Sequence, residues 1–254
     1  MPKSLQGLTV LVTRPAHQAS RFQQLLAAEG AHAVLFPVVE ICPPDDLAAL
    51  TAQLVDIATY DTALFISANA VDYGLKALAT PQILHHLTLG AIGKKTAQAL
   101  QQHGFTAQWV PTAGFTSEDW LALPQTQQLA GRRILIFRGA GGRELLADTL
   151  RQRGATVTQV DVYQRVCPKI AVSQLKQHHE QQQLDIIAVT SSEGILNLVA
   201  MLDNPAWIKT LSLLVGSPRM RETARQAGFD GTLIMADNPS DEAMLQALIQ
   251  WAQE

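Results

Sequence analysis

The chain has 254 residues, 47% of them hydrophobic and 16% charged, which is enough apolar material for one large or two modest domains and excludes extensive disorder. Its 19 Lys and Arg against 22 Asp and Glu leave a formal net charge of -3, excluding nucleic-acid binding through a bulk basic surface but not a local cationic cleft. Only two cysteines are present, Cys42 and Cys167, each followed by proline; they exclude a disulfide framework or a four-thiolate zinc site and point to a reduced compartment.

Met1 to Ser4 lead into the apolar run Leu8 to Val12 with no h-region and no small-residue cleavage pattern, so no targeting segment is expected. No apolar stretch approaches the roughly 18 residues of a membrane span. A soluble, cytoplasmic protein engaging neither membrane nor nucleic acid is therefore expected.

The elements then arrive as two patterns, each used twice. The first begins with the strand-like run Leu8 to Val12, ends in Thr13-Arg14, and continues through an amphipathic stretch from Ala16 to Glu29 that stops at Gly30. A second β-rich stretch, Val34 to Val39, runs into Cys42-Pro43. The next pattern opens with Ala63 to Ile66 and Ser67-Ala68-Asn69, passes Ile92-Gly93-Lys94-Lys95-Thr96, closes a helix at Gly104-Phe105, and opens another at Thr116-Ser117-Glu118. The first pattern returns as Arg133 to Phe137 with Arg138-Gly139, then Gly154, then Val157 to Val162 into Cys167-Pro168; Arg14 to Gly30 and Arg138 to Gly154 both span 16 positions. The second returns as Ile186 to Val189 with Thr190-Ser191-Ser192, then Gly216-Ser217-Pro218-Arg219, Gly228-Phe229 and Ser240-Asp241-Glu242.

Apolar runs of about five residues bounded by Gly, Ser or Pro read as strands buried on both faces, as in a parallel sheet. The intervening stretches have helical spacing and stop at glycine. Roughly ten strands alternating with helices predict an α/β protein of two doubly wound, flavodoxin-like parallel-sheet domains. Each half of the chain forms its own domain, or else the first pattern of one half joins the second pattern of the other. In the latter case the chain crosses twice, near Pro37 to Pro44 and near Tyr163 to Pro168. Periodicity does not choose between them.

Polar residues follow the strand runs: Thr13, Arg14, Ser67, Asn69, Lys94, Lys95, Thr96, Arg138, Arg143, Ser191, Ser192, Ser217 and Arg219. Ligands of open parallel sheets bind at this edge, beside helix N-termini. Helix capping explains any single Ser or Thr equally well. The arginines are different, because a cation at a helix N-terminus opposes the macrodipole by roughly 0.3–1 kcal/mol; Arg14, Arg138 and Arg219 there imply an anionic ligand. The turn Arg138-Gly139-Ala140-Gly141-Gly142-Arg143 lacks the third glycine of a dinucleotide fingerprint, because position 144 is Glu144. Gly93-Lys94-Lys95-Thr96 is no P-loop, which disfavours a mononucleotide site while staying compatible with a backbone nest for carboxylates. The pairs His85-His86 and His178-His179 splay on a helix and make no metal face, and Ser67 and Ser191 lack the frame of a nucleophile elbow. Tyr163, at a proposed crossing, reads from local pattern alone as a half-buried packing aromatic.

Taken in order, Leu11-Val12-Thr13-Arg14-Pro15, Phe65-Ile66-Ser67-Ala68-Asn69-Ala70-Val71, Ile92-Gly93-Lys94-Lys95-Thr96-Ala97, Arg138 to Glu144, Val162-Tyr163-Gln164-Arg165, Thr190-Ser191-Ser192-Glu193-Gly194, Ser217-Pro218-Arg219 and Ser240-Asp241-Glu242-Ala243 resemble the uroporphyrinogen-III synthase family. The resemblance spans essentially the whole chain. It implies the exchanged arrangement: residues 1–37 with 169–254 as one domain, 45–162 as the other, and 38–44 and 163–168 as connector strands, with the substrate between the domains. It implies closure of hydroxymethylbilane with loss of water from the ring A hydroxymethyl group and inversion of ring D, through an azafulvene and a spirocyclic pyrrolenine, without metal or organic cofactor. Tyr163 becomes the catalytic candidate. Thr13, Arg14, Ser67, Asn69, Lys94, Thr96, Arg138, Gly139, Gly142, Arg143, Ser191, Ser192, Ser217 and Arg219 become substrate-binding candidates. Some relatives carry threonine at the position of Ser217, so no catalytic hydroxyl is assigned there. A monomer in transient contact with hydroxymethylbilane synthase is expected. The alternative from another class is a two-domain protein that closes on an anionic small molecule without chemistry.

Overall fold

The computed structural model describes residues 4–142, 144–181 and 183–253. Its strands, in chain order, are β1 (Thr9–Val12), β2 (His32–Leu35), β3 (Glu40–Cys42), β4 (Thr62–Phe65), β5 (Thr88–Ala91), β6 (Arg133–Gly139), β7 (Thr156–Val166), β8 (Ile186–Ala188), β9 (Ser212–Val215) and β10 (Leu233–Met235). They form two five-stranded sheets, ordered β10-β9-β8-β1-β2 and β3-β7-β6-β4-β5. In the first, β1 pairs in parallel with β2 and β8, and β9 with β8 and β10. In the second, β4 pairs in parallel with β5 and β6, and β6 with β7. The chain divides accordingly into two α/β units, one containing the residues up to Glu40 and from Val166 onward, the other Ile41–Arg165. None of the described helices is long and apolar enough to cross a membrane.

Successive side chains of a strand alternate between faces, so a strand buried at every position must be covered on both. Val10, Leu11 and Val12 are all buried, as are Ala63, Leu64 and Phe65. On one face of the first sheet, Val10, Val12, Ile186, Ala188 and Leu214 pack against Phe22 and Leu26 of helix Ala16–Ala28 and Met244 and Leu248 of helix Asp241–Trp251. In the second unit, Leu64, Ile134 and Ile136 meet Trp120 and Leu121 of helix Ser117–Leu121 and Leu146 and Leu150 of helix Leu145–Gln152. On that sheet Phe65 and Phe137 stack with centroids 4.5 Å apart. Helix Ala68–Ala77 reaches this pair through Gly74, where a Cβ would lie 2.8 Å from Phe137 Cδ1.

The two β-rich stretches leading to Cys-Pro differ. The expected run Val34 to Val39 breaks, because β2 ends at Leu35, Pro37 has no N–H to give a ladder, and β3 begins afresh at Glu40 in the other sheet. Its counterpart β7 is continuous over 11 residues. Against β6 it carries one irregularity: Arg138 pairs with Asp161 and Gly139 with Tyr163, leaving Val162 as the extra residue. Such a bulge re-aims the side chains beyond it.

The glycines at equivalent places in the two copies end helices in the same way. Gly30, Gly104, Gly154 and Gly228 have φ of 86°, 84°, 90° and 84°. The residue after each returns its N–H to the carbonyl five positions back: Ala31 to Leu26, Phe105 to Leu100, Ala155 to Leu150 and Phe229 to Ala224. This is the Schellman closure, and its left-handed residue costs an L-amino acid about 1–2 kcal/mol. Gly104→Ala should therefore lower unfolding free energy by about 1–2 kcal/mol from backbone strain alone, since nothing lies within 4 Å of its Cβ position. Gly154→Ala should cost more, because its Cβ would also meet Ala130 Cα at 3.0 Å. Urea denaturation of the two variants measures the difference.

Asp61 ties the entry of β4 to that of β6, accepting from Arg133 N–H at 2.8 Å and Arg132 Nη1 at 3.0 Å. The Arg133 backbone bond holds its pKa below the ordinary 3.8 against the opposing cost of burial, with the Arg132 guanidinium adding to the lowering. A carboxyl more acidic in the folded than in the unfolded chain stabilises above its unfolded pKa, and that contribution fades as pH falls through the folded value. Asp61→Asn should thus be less stable than the parent at neutral pH. The gap should close as the pH is lowered through and below 3.8, as read by urea midpoints across a pH series.

Candidate functional site

Because β1, β2, β8, β9 and β10 pair in parallel, as do β4, β5, β6 and β7, the carboxyl ends of the strands in each group share one edge. In the second unit that edge brings together two residues 96 positions apart: Ser67 Oγ lies 3.2 Å from Tyr163 Oη. Ser67 is the N-cap of helix Ala68–Ala77 and accepts from Ala70 N–H at 3.1 Å. Tyr163 is 1% exposed. Its ring fits against β6 only because the facing residue is Gly139, where a Cβ would sit 2.5 Å from Tyr163 Cζ. Gly139 thus makes room for the tyrosine. Arg165 Nη2 lies 3.4 Å from Tyr163 Oη, with the guanidinium 5.7 Å from the ring centroid.

Arg138 corrects an expectation. It is the penultimate residue of β6 and lies inside the strand, not beyond it, and the next helix begins only at Leu145. Its side chain is 11% exposed, with Nε 2.8 Å from Asp161 Oδ1 and Nη1 2.8 Å from Glu144 Oε1. With its amide turned nitrogen-first to Glu144 Oε2 (3.0 Å) and oxygen-first to Arg138 Nη1 (2.7 Å), Gln159 joins the cluster. Burial disfavours the arginine's charge, but the Asp161 and Glu144 hydrogen bonds outweigh it and raise its pKa above the ordinary value. The Arg138 hydrogen bond in turn lowers the pKa of Glu144. The anion that neutralises Arg138 is therefore supplied by the chain itself, and the carboxylates tie the turn containing Gly142 to β7. Arg143 lies outside the described residues.

Lys94 and Thr96 also lie further along than expected, inside the first turn of helix Lys94–Gln102. Lys94 is exposed with Nζ 5.4 Å from the Phe115 centroid, while Thr96 is buried. Asn69 is the half-buried second residue of its helix.

The first unit has its own edge. Thr13 is buried and its hydroxyl donates to Ala188 O at 2.8 Å, across to β8. Arg14 is paired with Asp241 and donates to Pro239 O at 3.1 Å. Here too an internal carboxylate, the first residue of helix Asp241–Trp251, offsets the cation. Ser191 and Ser217 are N-caps, accepting from Gly194 N–H at 3.0 Å and Met220 N–H at 3.3 Å. Ser192 Oγ accepts from Thr223 at 3.0 Å. Arg219, in the first turn of helix Pro218–Gln226, is exposed and has no ion-pair partner among the described residues. It alone of the three arginines matches the expected picture of an uncompensated cation.

Capping and ligand binding are compatible here. A cap uses a hydroxyl lone pair, and Ser67, Ser191 and Ser217 each keep an O–H to donate. Asp161, Glu144, Asp241 and Arg165 were not singled out from sequence. Strand period was the available signal for two of them, since Asp161, Tyr163 and Arg165 occupy alternate positions of β7. Among the described residues no group of His, Cys, Asp or Glu could hold a metal ion, and neither Cys42 nor Cys167 forms a disulfide. A surface pocket of about 510 Å³ beside Leu54, Ile57, Leu78 and Ile83 sits where the chain enters β4 and β5, at the opposite edge from these side chains.

The model of the family described as "Uroporphyrinogen-III synthase HemD" matches residues 20–246. Uroporphyrinogen-III synthase of Escherichia coli (strain K12) is 33% identical over 251 residues, covering 95% of this chain and 100% of that protein. The Salmonella typhimurium enzyme is 32% identical over 95% of this chain and all of its own length. Among solved structures, uroporphyrinogen-III synthetase from Helicobacter pylori 26695 superposes with a TM-score of 0.66 at 17% identity, covering 96% of this chain and 99% of that one. A mutant uroporphyrinogen III synthase from the extreme thermophile Thermus thermophilus gives 0.62 at 18%, covering 97% and 98%; at such identities these two speak to the fold. With the family model matched over most of its length and relatives above 30% identity matched end to end, the chain belongs to the uroporphyrinogen-III synthase family.

Proposed function

We propose that this chain catalyses the reaction for which its relatives are named, closing hydroxymethylbilane to uroporphyrinogen III with loss of water from ring A and inversion of ring D. The family match over residues 20–246 supports the activity. The structural observation that carries the site is the meeting of Ser67 and Tyr163 at 3.2 Å on a strand-end edge.

The substrate is a polycarboxylate whose one demanding proton transfer is acid assistance to the departing hydroxyl. Tyr163 is the proposed proton source. Ser67, Asn69, Lys94, Thr96, Gly142 and Arg143 on one unit, and Thr13, Ser191, Ser192, Ser217 and Arg219 on the other, are the proposed substrate-contacting set. In this reading Arg14 and Arg138 act mainly by fixing the loops that carry it, and Gly139 by admitting Tyr163. Much of the remaining catalysis is positioning: holding ring D so that attack at its substituted carbon outruns simple head-to-tail closure.

The finer architecture belongs to the same proposal. Counted along its own unit, the first sheet has the order 2-1-3-4-5, which supports a doubly wound, flavodoxin-like reading. The proposed connectors 38–44 and 163–168 are supported by the unit limits at Glu40/Ile41 and Arg165/Val166, which fall inside them. A cytoplasmic monomer, receiving its unstable substrate in transient contact with hydroxymethylbilane synthase, completes the proposal.

Hydroxymethylbilane generated in situ and supplied to the purified protein should yield the type III isomer; type I alone, the spontaneous product, would overturn the enzyme reading. Tyr163→Phe should fold normally and lower kcat by about a hundredfold. Gly139→Ala should lower both thermal stability and kcat by displacing the tyrosine ring. Arg219→Ala should raise KM by about tenfold, the loss of one charge-assisted contact, without moving the melting temperature. Arg138→Ala should instead lower the melting temperature, because it strips Asp161 and Glu144 of their partner.

A further inference from the structure

Tyr163 is 1% exposed, whereas Ser67, on which its hydroxyl rests, is half-buried. A proton source that is itself almost wholly enclosed needs a neighbour to deliver its proton. We infer that Arg165, Tyr163 and Ser67 form a one-way hydrogen-bond relay in which Ser67 is the group that touches the leaving hydroxyl, Tyr163 replaces the proton Ser67 gives up, and Arg165 holds the resulting phenolate. This rests on the proposed function and deepens its assignment of Tyr163.

Donor and lone-pair counts are compatible with either direction across the Ser67–Tyr163 contact, and the enclosure of Tyr163 beside the half-buried Ser67 selects the direction assigned. Arg165 has only N–H groups to offer, so at 3.4 Å it donates to Tyr163 Oη. Ala70 N–H donates to Ser67 Oγ at 3.1 Å, occupying one serine lone pair. With the Tyr163 hydroxyl donating across the 3.2 Å contact, the second is occupied. The one hydroxyl proton then uncommitted in the chain of three is that of Ser67, at the N-terminal end of helix Ala68–Ala77. The exposed Arg165 side chain tightens onto the tyrosine oxygen as negative charge develops there, as catalytic hydrogen bonds do between resting and reacting states.

The step balances. The ring A carbon–oxygen bond breaks with its electron pair on oxygen, Ser67 protonates that oxygen, and water leaves. The carbon left behind is stabilised as a cationic azafulvene by the ring A pyrrole nitrogen. As Ser67 gives its proton it takes the one on Tyr163, so the net change in the protein is a tyrosine phenolate beside a guanidinium. The proton released when the macrocycle closes and its last pyrrole regains aromaticity returns to the phenolate through Ser67.

The test uses the whole chain, with hydroxymethylbilane generated in situ, and reads kcat and KM separately. Ser67→Asn keeps a good N-cap but has no hydroxyl to relay, and should lower kcat by about a hundredfold, matching Tyr163→Phe, with KM within about threefold. Ser67→Thr should restore most of the activity. The double variant Ser67→Asn with Tyr163→Phe should be no slower than either single one, because members of one relay fail together. Arg165→Met should lower kcat by about tenfold and Arg165→Lys should recover most of it, both effects vanishing in the Tyr163→Phe background. Multiplying losses in the double variant would overturn the relay, as would an Arg165→Met effect confined to KM. An active Ser67→Asn beside an inactive Tyr163→Phe would overturn the relay and leave Tyr163 as direct donor. A fully active Tyr163→Phe would remove Tyr163 and the relay together while leaving the synthase reading intact. Absence of type III product from the parent protein would remove that reading itself.

Discussion

Parallel pairing is the constraint on which the rest of this molecule depends. Once β1 lies parallel to β8 and β4 parallel to β6, each strand must be returned to the same end by a helix, and those helices must cover both faces of the sheet. The strand-to-helix turns after β1, β8, β9 and β10, and those after β4, β5 and β6, then fall on one edge of their sheet, where helix N-termini offer unpaired amides. Residues as far apart as Ser67 and Tyr163 meet there because the sheet, not the local chain, sets their separation. The amphipathic helices, the glycine closures and the apolar strand runs all serve that geometry.

The polar edge is held in place by internal compensation. Arg14 and Arg138 look from sequence like cations waiting for an anion, yet Asp241 answers one, and Asp161 with Glu144 answers the other. Leaving a mostly buried guanidinium unpaired would be costly, so the chain satisfies it. The consequence is a rigid edge: Arg14 fastens the turn after β1 to helix Asp241–Trp251, and Arg138 fastens the glycine-rich turn after β6 to β7. The capping serines keep a hydroxyl proton to donate, and Arg219 and Lys94 stand exposed.

The bulge between β6 and β7 shows how a small backbone irregularity positions a side chain. With Val162 as the extra residue, Tyr163 rather than Val162 faces Gly139. The missing side chain of Gly139 lets the phenol lie against the strand and reach Ser67. Two local departures from regularity, one extra residue and one absent Cβ, thereby place a single hydroxyl.

Much of this was legible in the sequence, for a physical reason. Burial on both faces leaves unbroken apolar runs, helix ends need residues that tolerate left-handed backbone or supply a capping oxygen, and both requirements are local. Hence β1, β4, β6 and β8, the closures at Gly30 and Gly154, and the caps at Ser67, Ser191 and Ser240 could be read directly, and the ordered set of motifs pointed to the family. Pairing between distant segments is not local. That β1 joins β8 and not β4, that Pro37 stops one crossing while β7 runs on unbroken, that Arg138 lies within its strand and finds Asp161 and Glu144, and that Arg165 lies against the Tyr163 hydroxyl were decided only by tertiary structure. Which strand neighbours which, and which charge answers which, depends on contacts across more than a hundred residues of chain in one case and on a one-residue shift of register in another, and neither leaves a mark in local composition.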